Sequence, residues 1–222
     1  MLVSLDKKII VLLPPKTAST SITNTLLKCG IRFDAPKKIL DYPTFHLKLS
    51  EICEWHQLDN ITDYNVIQFT RNPYYRFVSA YYQLIRLTSF NKNLTFYGMN
   101  FKEFTNHLNN SKLSENFIKT FFGDDSYYYE NLKQKKNWSG VRMFEEQVSY
   151  NDLNNQINYF KIEDSLSNMS VVSNLFGVDI IPVTNVNKNP INVDYDNLLD
   201  EECMEIIHRH FINDFNILGY SS

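Results

Sequence analysis

The chain reads Pro15-Lys16-Thr17-Ala18-Ser19-Thr20-Ser21 directly after an apolar run at residues 9–13 and before an amphipathic segment at residues 22–29. This order predicts a strand, a short polar loop and a helix. The first turn of a helix leaves backbone N–H groups without intrahelical acceptors and carries a partial positive charge, so it suits a phosphate or sulfate. Lys16 adds a full positive charge, and the loop hydroxyls add further donors. The stretch therefore predicts an anion-binding loop.

A second strand-to-helix junction is predicted in residues 66–82, which read VIQFTRNPYYRFVSAYY. The β-prone run ends at Arg71, and Pro73 suits the first position of a helix because its missing N–H is not needed there. Arg71 then stands at the carboxyl end of a strand, the edge where open α/β sheets bind ligands. Ser79 lies on the helix that follows. We expect Arg76 to pair with a nearby carboxylate or carbonyl group rather than with a ligand.

Both stretches resemble motifs of sulfotransferases that use 3′-phosphoadenosine 5′-phosphosulfate (PAPS). The 15–21 loop is similar to the 5′-phosphosulfate loop of heparan sulfate 2-O-sulfotransferases, and the pattern R-N-P-x-x-R-x-V-S-A-Y, which begins at Arg71, is similar to the 3′-phosphate motif. The resemblance covers nearly the whole chain. It implies a P-loop-like three-layer α/β fold, in which helices flank a central parallel sheet.

The same resemblance implies a set of cofactor-binding residues. Arg71 and Ser79 would bind the 3′-phosphate, and an arginine suits that role because its planar fork pairs two phosphate oxygens at once. Lys188, in a late loop similar to one that closes over the cofactor, would contact a phosphate or the adenine. The phosphosulfate itself would be held by Lys16, Thr17, Ala18, Ser19, Thr20 and Ser21.

His46 is the candidate general base, and Lys16 is the second candidate catalytic residue. An imidazole is mostly neutral at pH 7 and can accept the proton of an acceptor hydroxyl. Relatives among the carbohydrate sulfotransferases place their proposed base in this interval. The alternative is a histidine at a helix N-terminus that makes a backbone hydrogen bond. His56 and Glu163 are weaker candidates for the base. His56 is expected to lie at the surface. Lys16 would stabilise the charge that grows on the leaving phosphate, so we expect no metal requirement.

These features favour transfer of the sulfuryl group of PAPS to a hydroxyl, with release of 3′-phosphoadenosine 5′-phosphate (PAP). The expected acceptor is a carbohydrate. One alternative is a P-loop kinase-like phosphotransferase, although its loop would read G-x-x-x-x-G-K-[ST], with glycines ahead of the lysine. Another is a non-catalytic module that binds PAP.

The tyrosine-rich residues 124–138 are predicted to lie on the acceptor side, and Asp164 is predicted to cap a helix at residues 165–176.

Composition favours a single domain, 1–222, which on the resemblance is a sulfotransferase domain. The chain has 43% hydrophobic residues and no low-complexity linker, and its net charge of -3 gives no support for nucleic-acid binding. Three scattered cysteines predict reduced, packed thiols rather than a disulfide framework. The N-terminal apolar run is far too short for a membrane anchor. We therefore expect a cytoplasmic enzyme with no membrane partner.

Overall fold

The computed structural model describes residues 2–34, 46–88, 98–110, 142–179 and 195–221. These residues fall into two compact units. The first unit contains residues 2–34, 46–71 and 147–179, and the second contains residues 72–88, 98–110, 142–146 and 195–221. None of the helices within these ranges has the length and apolar character needed to cross a membrane. The interpretation of the chain as one domain stays a prediction.

The strands are β1 (Leu2–Ser4), β2 (Ile9–Leu12), β3 (Asn65–Thr70) and β4 (Ile157–Lys161). The helices are α1 (Ser19–Lys28), α2 (Leu49–His56), α3 (Pro73–Thr88), α4 (Phe101–Asn110), α5 (Ser165–Phe176), α6 (Tyr195–Leu198), α7 (Glu201–His210) and α8 (Ile212–Leu218). Two short 3₁₀ helices span Gln147–Tyr150 and Ile162–Asp164.

The first unit is built on a four-stranded sheet with the order β1-β2-β3-β4. β3 runs parallel to β2, with Ile67 opposite Val11, and parallel to β4, with Phe69 opposite Phe160. All residues of β2 are buried, as expected for a strand inside a parallel sheet. The predicted α/β fold with a mostly parallel sheet flanked by helices is thus confirmed. β1, which pairs antiparallel with β2, was not predicted, because three residues are too few to show a period.

Two helices of the first unit share a core with the sheet. Ile22 and Leu26 of α1, together with Val172 and Phe176 of α5, belong to one buried cluster with side chains of β2, β3 and β4. The predicted end of α5 at residue 176 is confirmed. Gly177 follows it in the left-handed conformation, with φ 62°. The core thus fixes α1, whose N-terminus follows the predicted anion-binding loop.

The second unit is helical and packs around aromatic side chains. The ring of Phe77 in α3 lies 5.4 Å from that of Phe104 in α4 and 5.9 Å from that of Phe144, measured between centroids. Ile207 of α7 and Phe211 are buried in the same cluster. Such aromatic contacts stabilise a core beyond the burial of apolar area. They hold α3, which carries Ser79, in place.

Arg76 has the structural role that the sequence predicts. Its side chain is 1% exposed, and its Nη2 donates hydrogen bonds to the carbonyl oxygens of Glu145 at 2.8 Å and Arg142 at 3.3 Å. Its Nη1 lies 3.9 Å from Oδ2 of Asp214, a residue with no exposed surface. The guanidinium also lies over the ring of Phe211, 5.6 Å from its centroid. Arg76 therefore stabilises the second unit.

Candidate functional site

The predicted anion-binding loop joins β2 to α1 and has an unusual backbone. Lys16 and Ala18 both adopt left-handed conformations, with φ of 69° and 57°. A left-handed residue beside a right-handed one turns successive backbone N–H groups toward the same side, which forms a concave site for an anion. Positive φ is disfavoured for residues with a Cβ, so two such residues within three positions mark a site of stored strain.

Thr17 holds this loop in shape. Its hydroxyl donates a hydrogen bond to the carbonyl oxygen of Pro14 at 2.7 Å, and its backbone N–H points to the same oxygen at 3.4 Å. The Thr17 side chain has no exposed surface. These contacts close a turn over residues 14–17, which includes the left-handed Lys16. The hydroxyl of Thr17 is therefore occupied in fixing the loop.

The N-terminus of α1 suits an anion because its first turn is not capped by a side chain. Ala18 occupies the N-cap position and makes no side-chain capping bond, whereas serine, threonine, aspartate or asparagine would normally stand there. The first helical bond runs from Ile22 N–H to Ala18 O at 3.0 Å. Ser21 is buried, Ser19 is half-buried and Thr20 is exposed. Thr20, an exposed residue, thus lies at a helix end that favours negative charge.

Arg71 lies one residue beyond β3 and reaches the loop. Its Nη1 donates a hydrogen bond to the backbone carbonyl oxygen of Lys16 at 3.3 Å. The two residues are 55 positions apart, and each belongs to a different predicted motif. The structure therefore brings the arginine of one motif to the lysine of the other. A guanidinium has five N–H donors in a planar fork, so a bond to a carbonyl oxygen is compatible with phosphate binding.

Gln147 contacts Arg71 and was not found by sequence reasoning. The Arg71 N–H donates to Gln147 Oε1 at 2.8 Å, and Gln147 Nε2 donates to the Arg71 carbonyl oxygen at 2.8 Å. Gln147 is fully buried. Its local sequence, in the run of residues 144–150, carries no motif, so only the folded chain reveals this contact.

His46 lies beside the same loop in a left-handed conformation, with φ 63°. Its Nδ1 lies 2.6 Å from the carbonyl oxygen of Leu13. A carbonyl oxygen can only accept, so Nδ1 carries the proton and Nε2 of the neutral ring is the basic nitrogen. His46 is not the cap of α2, because Lys48 occupies the N-cap position. It does make the backbone hydrogen bond that the structural alternative expects, but to the loop rather than to the helix.

The rival candidates fit catalysis less well. His56 is 1% exposed, so its predicted surface position is wrong. Its place follows from the helical period, since His56 lies four residues after Ile52 and seven after Leu49, both of which are fully buried. Glu163 is exposed in a 3₁₀ helix. Asp164 does precede α5 at the N-cap position, but its side chain makes no capping bond.

The cysteines are free thiols, as predicted. Burial raises the pKa of Cys53 to about 11 and that of Cys203 to about 11. Neither thiol can therefore ionise appreciably at neutral pH, and neither fits a nucleophile. In the part of the chain that the structure describes, no three or more histidine, cysteine, aspartate or glutamate side chains form a group that could hold a metal ion.

The structure does not test the predicted roles of Ser79, Lys188 and residues 124–138. Ser79 is a half-buried residue of α3 in the second unit, so its role in phosphate binding stays a prediction. Lys188 and residues 124–138 lie outside the described residues. A surface depression lined by Cys53, Glu54, Gln57, Leu58 and Asp59 contains none of the predicted site residues.

Comparison with known protein families identifies the family of this chain. A family model described as the sulfotransferase family matches residues 1–221. No curated protein and no solved structure matches the chain. The match covers both motifs and all the predicted site residues.

Proposed function

We propose that this chain, which belongs to the sulfotransferase family and is a PAPS-dependent sulfotransferase, transfers the sulfuryl group to a hydroxyl of a carbohydrate. The observation that carries the residue assignment is the hydrogen bond from Arg71 Nη1 to Lys16 O at 3.3 Å. It joins two motifs that would hold opposite ends of the nucleotide donor. The carbohydrate acceptor is supported by the resemblance of the 15–21 loop to that of heparan sulfate 2-O-sulfotransferases.

The residues of the loop fit a phosphosulfate group. Left-handed Lys16 and Ala18 shape a concave backbone, and α1 presents an N-terminus without a side-chain cap. PAPS, when bound, supplies a sulfuryl group attached to a phosphate that can leave. Lys16 would hold the anion and stabilise negative charge as it grows on that phosphate. Arg71 would bind the 3′-phosphate; for Ser79 the same assignment rests on the motif alone.

His46 would act as the general base. Its Nδ1 proton is held by Leu13 O at 2.6 Å, which fixes both the tautomer and the direction of the ring. Nε2 can then take the proton of the acceptor hydroxyl. Leu13 is the residue that follows β2, so the base is oriented by the strand that leads into the phosphate loop.

The test of the acceptor class is a transfer assay with radiolabelled PAPS. The chain is incubated with cell-derived glycans, with the same glycans after digestion by polysaccharide lyases, and with peptides that contain tyrosine. Label in intact glycans that is lost after digestion supports the proposal. Label only in peptides would contradict the carbohydrate assignment. Tight PAP binding with no transfer to any acceptor would instead identify a non-catalytic nucleotide-binding module.

A further inference from the structure

The backbone of Arg71 lies just beyond the paired part of the sheet. β3 pairs with β4 up to Thr70, opposite Lys161, and with β2 up to Gln68, opposite Leu12. A residue beyond the end of a ladder must find other partners for its N–H and carbonyl groups when it is shielded from water. At Arg71 both groups are bonded to a side chain.

The amide of Gln147 supplies both partners. It accepts from the Arg71 N–H at 2.8 Å and donates to the Arg71 carbonyl oxygen at 2.8 Å. A side-chain amide offers the same donor and acceptor as a peptide group, so Gln147 imitates one more residue of a neighbouring strand. This pairing extends the order of the sheet by one residue, to the arginine.

Gln147 also makes a hydrogen bond through its backbone. The backbone carbonyl oxygen of Gln147 accepts a hydrogen bond from Nε2 of Gln68 at 2.8 Å, and both glutamines are fully buried. Gln68 belongs to β3, three residues before Arg71. The backbone of Gln147 is therefore anchored to the same strand whose end its side chain fixes. Arg71 is in turn bonded at its backbone N–H, its backbone carbonyl and its guanidinium.

We propose that Gln147 is a positioning residue that sets the Arg71 backbone for binding of the 3′-phosphate. The inference rests on the proposed function, since it concerns the arginine assigned to that phosphate. The direction of the Cα–Cβ bond sets the region that the guanidinium can reach through the rotamers of the arginine side chain. Fixing both backbone groups of Arg71 removes one source of misplacement before the nucleotide arrives.

The experiment compares the affinities of PAP and adenosine 5′-phosphate, which differ only in the 3′-phosphate, by titration calorimetry. Gln147→Met keeps the side-chain length and removes both hydrogen bonds. We expect the preference for PAP to fall by about tenfold, within the range that the loss of buried hydrogen bonds produces. Val172→Ala, in the buried core at α5, is the matched control: it should lower the melting temperature and keep the preference.

A second variant keeps the inference testable if Gln147→Met does not fold. Gln147→Glu retains the size and the acceptor, but its ionised carboxylate cannot donate to the Arg71 carbonyl oxygen. We expect it to lose preference for PAP as well. A folded variant of either kind that keeps the wild-type preference overturns the role of Gln147 alone. A wild-type chain that binds both nucleotides equally overturns the assignment of Arg71 and this inference with it.

Discussion

Arg71 donates a hydrogen bond from Nη1 to the backbone carbonyl oxygen of Lys16, over a distance of 3.3 Å. This bond joins the end of β3 to the loop that precedes α1. A carbonyl oxygen carries no net charge, so this bond does not neutralise the guanidinium. It also ties the arginine to a residue in the left-handed conformation, whose carbonyl direction is set by that strained backbone.

Replacement of Arg71 tests the 3′-phosphate assignment. Arg71→Ala should remove the preference for PAP over adenosine 5′-phosphate, because it would delete the proposed contact with the 3′-phosphate. A charge-assisted hydrogen bond of this kind contributes about 1.5 to 3 kcal/mol. Thermal shifts with each nucleotide provide the measurement. Arg71→Lys serves as the control, since it keeps the charge and loses the planar fork; it should retain part of the preference. Equal thermal shifts for both nucleotides in the wild-type chain would contradict the assignment.

Replacement of Lys16 should affect binding and chemistry together. Lys16→Ala removes the charge that would meet the anion both before and during transfer, so PAP affinity and turnover should both fall. Calorimetry and single-turnover transfer measure the two effects separately. Lys28→Ala, which removes an exposed charge from the last turn of α1, is the control and should leave both nearly unchanged. Full transfer activity in Lys16→Ala would rule out a catalytic role.

Replacement of His46 separates catalysis from structure. His46→Gly should lower turnover by about 10²- to 10⁴-fold, the span for a lost general base, with little change in PAP affinity. His46→Ala should lose as much turnover and also be less stable than His46→Gly by about 1 kcal/mol, because alanine is disfavoured at a φ of 63°. Turnover and urea unfolding of both variants test this. Normal turnover per folded molecule would reassign His46 to a purely structural role.

The pairs Arg76–Asp214 and Arg209–Glu205 of the second unit should differ greatly in their effect on stability. Asp214→Ala leaves Arg76 buried without the carboxylate that lies 3.9 Å away, and should lower the free energy of unfolding by about 3 kcal/mol. The control is Glu205→Ala, which breaks the exposed pair with Arg209 and should cost less than about 1 kcal/mol. Urea denaturation of both variants decides whether burial accounts for the difference.

Transfer should continue when divalent cations are removed. In the proposed mechanism Lys16 would supply the positive charge that stabilises the leaving phosphate, so EDTA should leave turnover unchanged. The measurement is the transfer rate before and after chelation, with magnesium added back. A loss of activity that magnesium restores would favour the phosphotransferase alternative.

The fold and both motifs could be predicted because their signals are local. An apolar run, a polar loop and a helix follow one another over residues 9–28, and Pro73 marks the start of α3. The buried position of His56 was not predicted, because histidine is polar and this outweighed its helical spacing from the apolar residues of α2. Gln147 could not be predicted, since a hydrogen bond to a residue 76 positions away leaves no trace in either local pattern.

That separation has a consequence for the growing chain during translation. Gln147 leaves the ribosome 76 residues after Arg71. At synthesis rates of 5–20 residues per second, this delay lasts about 4 to 15 seconds. Throughout that time the loop at Lys16 is already outside the ribosome, whereas the backbone of Arg71 still lacks its partner amide. We therefore expect nascent chains that stop short of residue 147 to discriminate poorly between nucleotides, so that selective binding arises only late in synthesis.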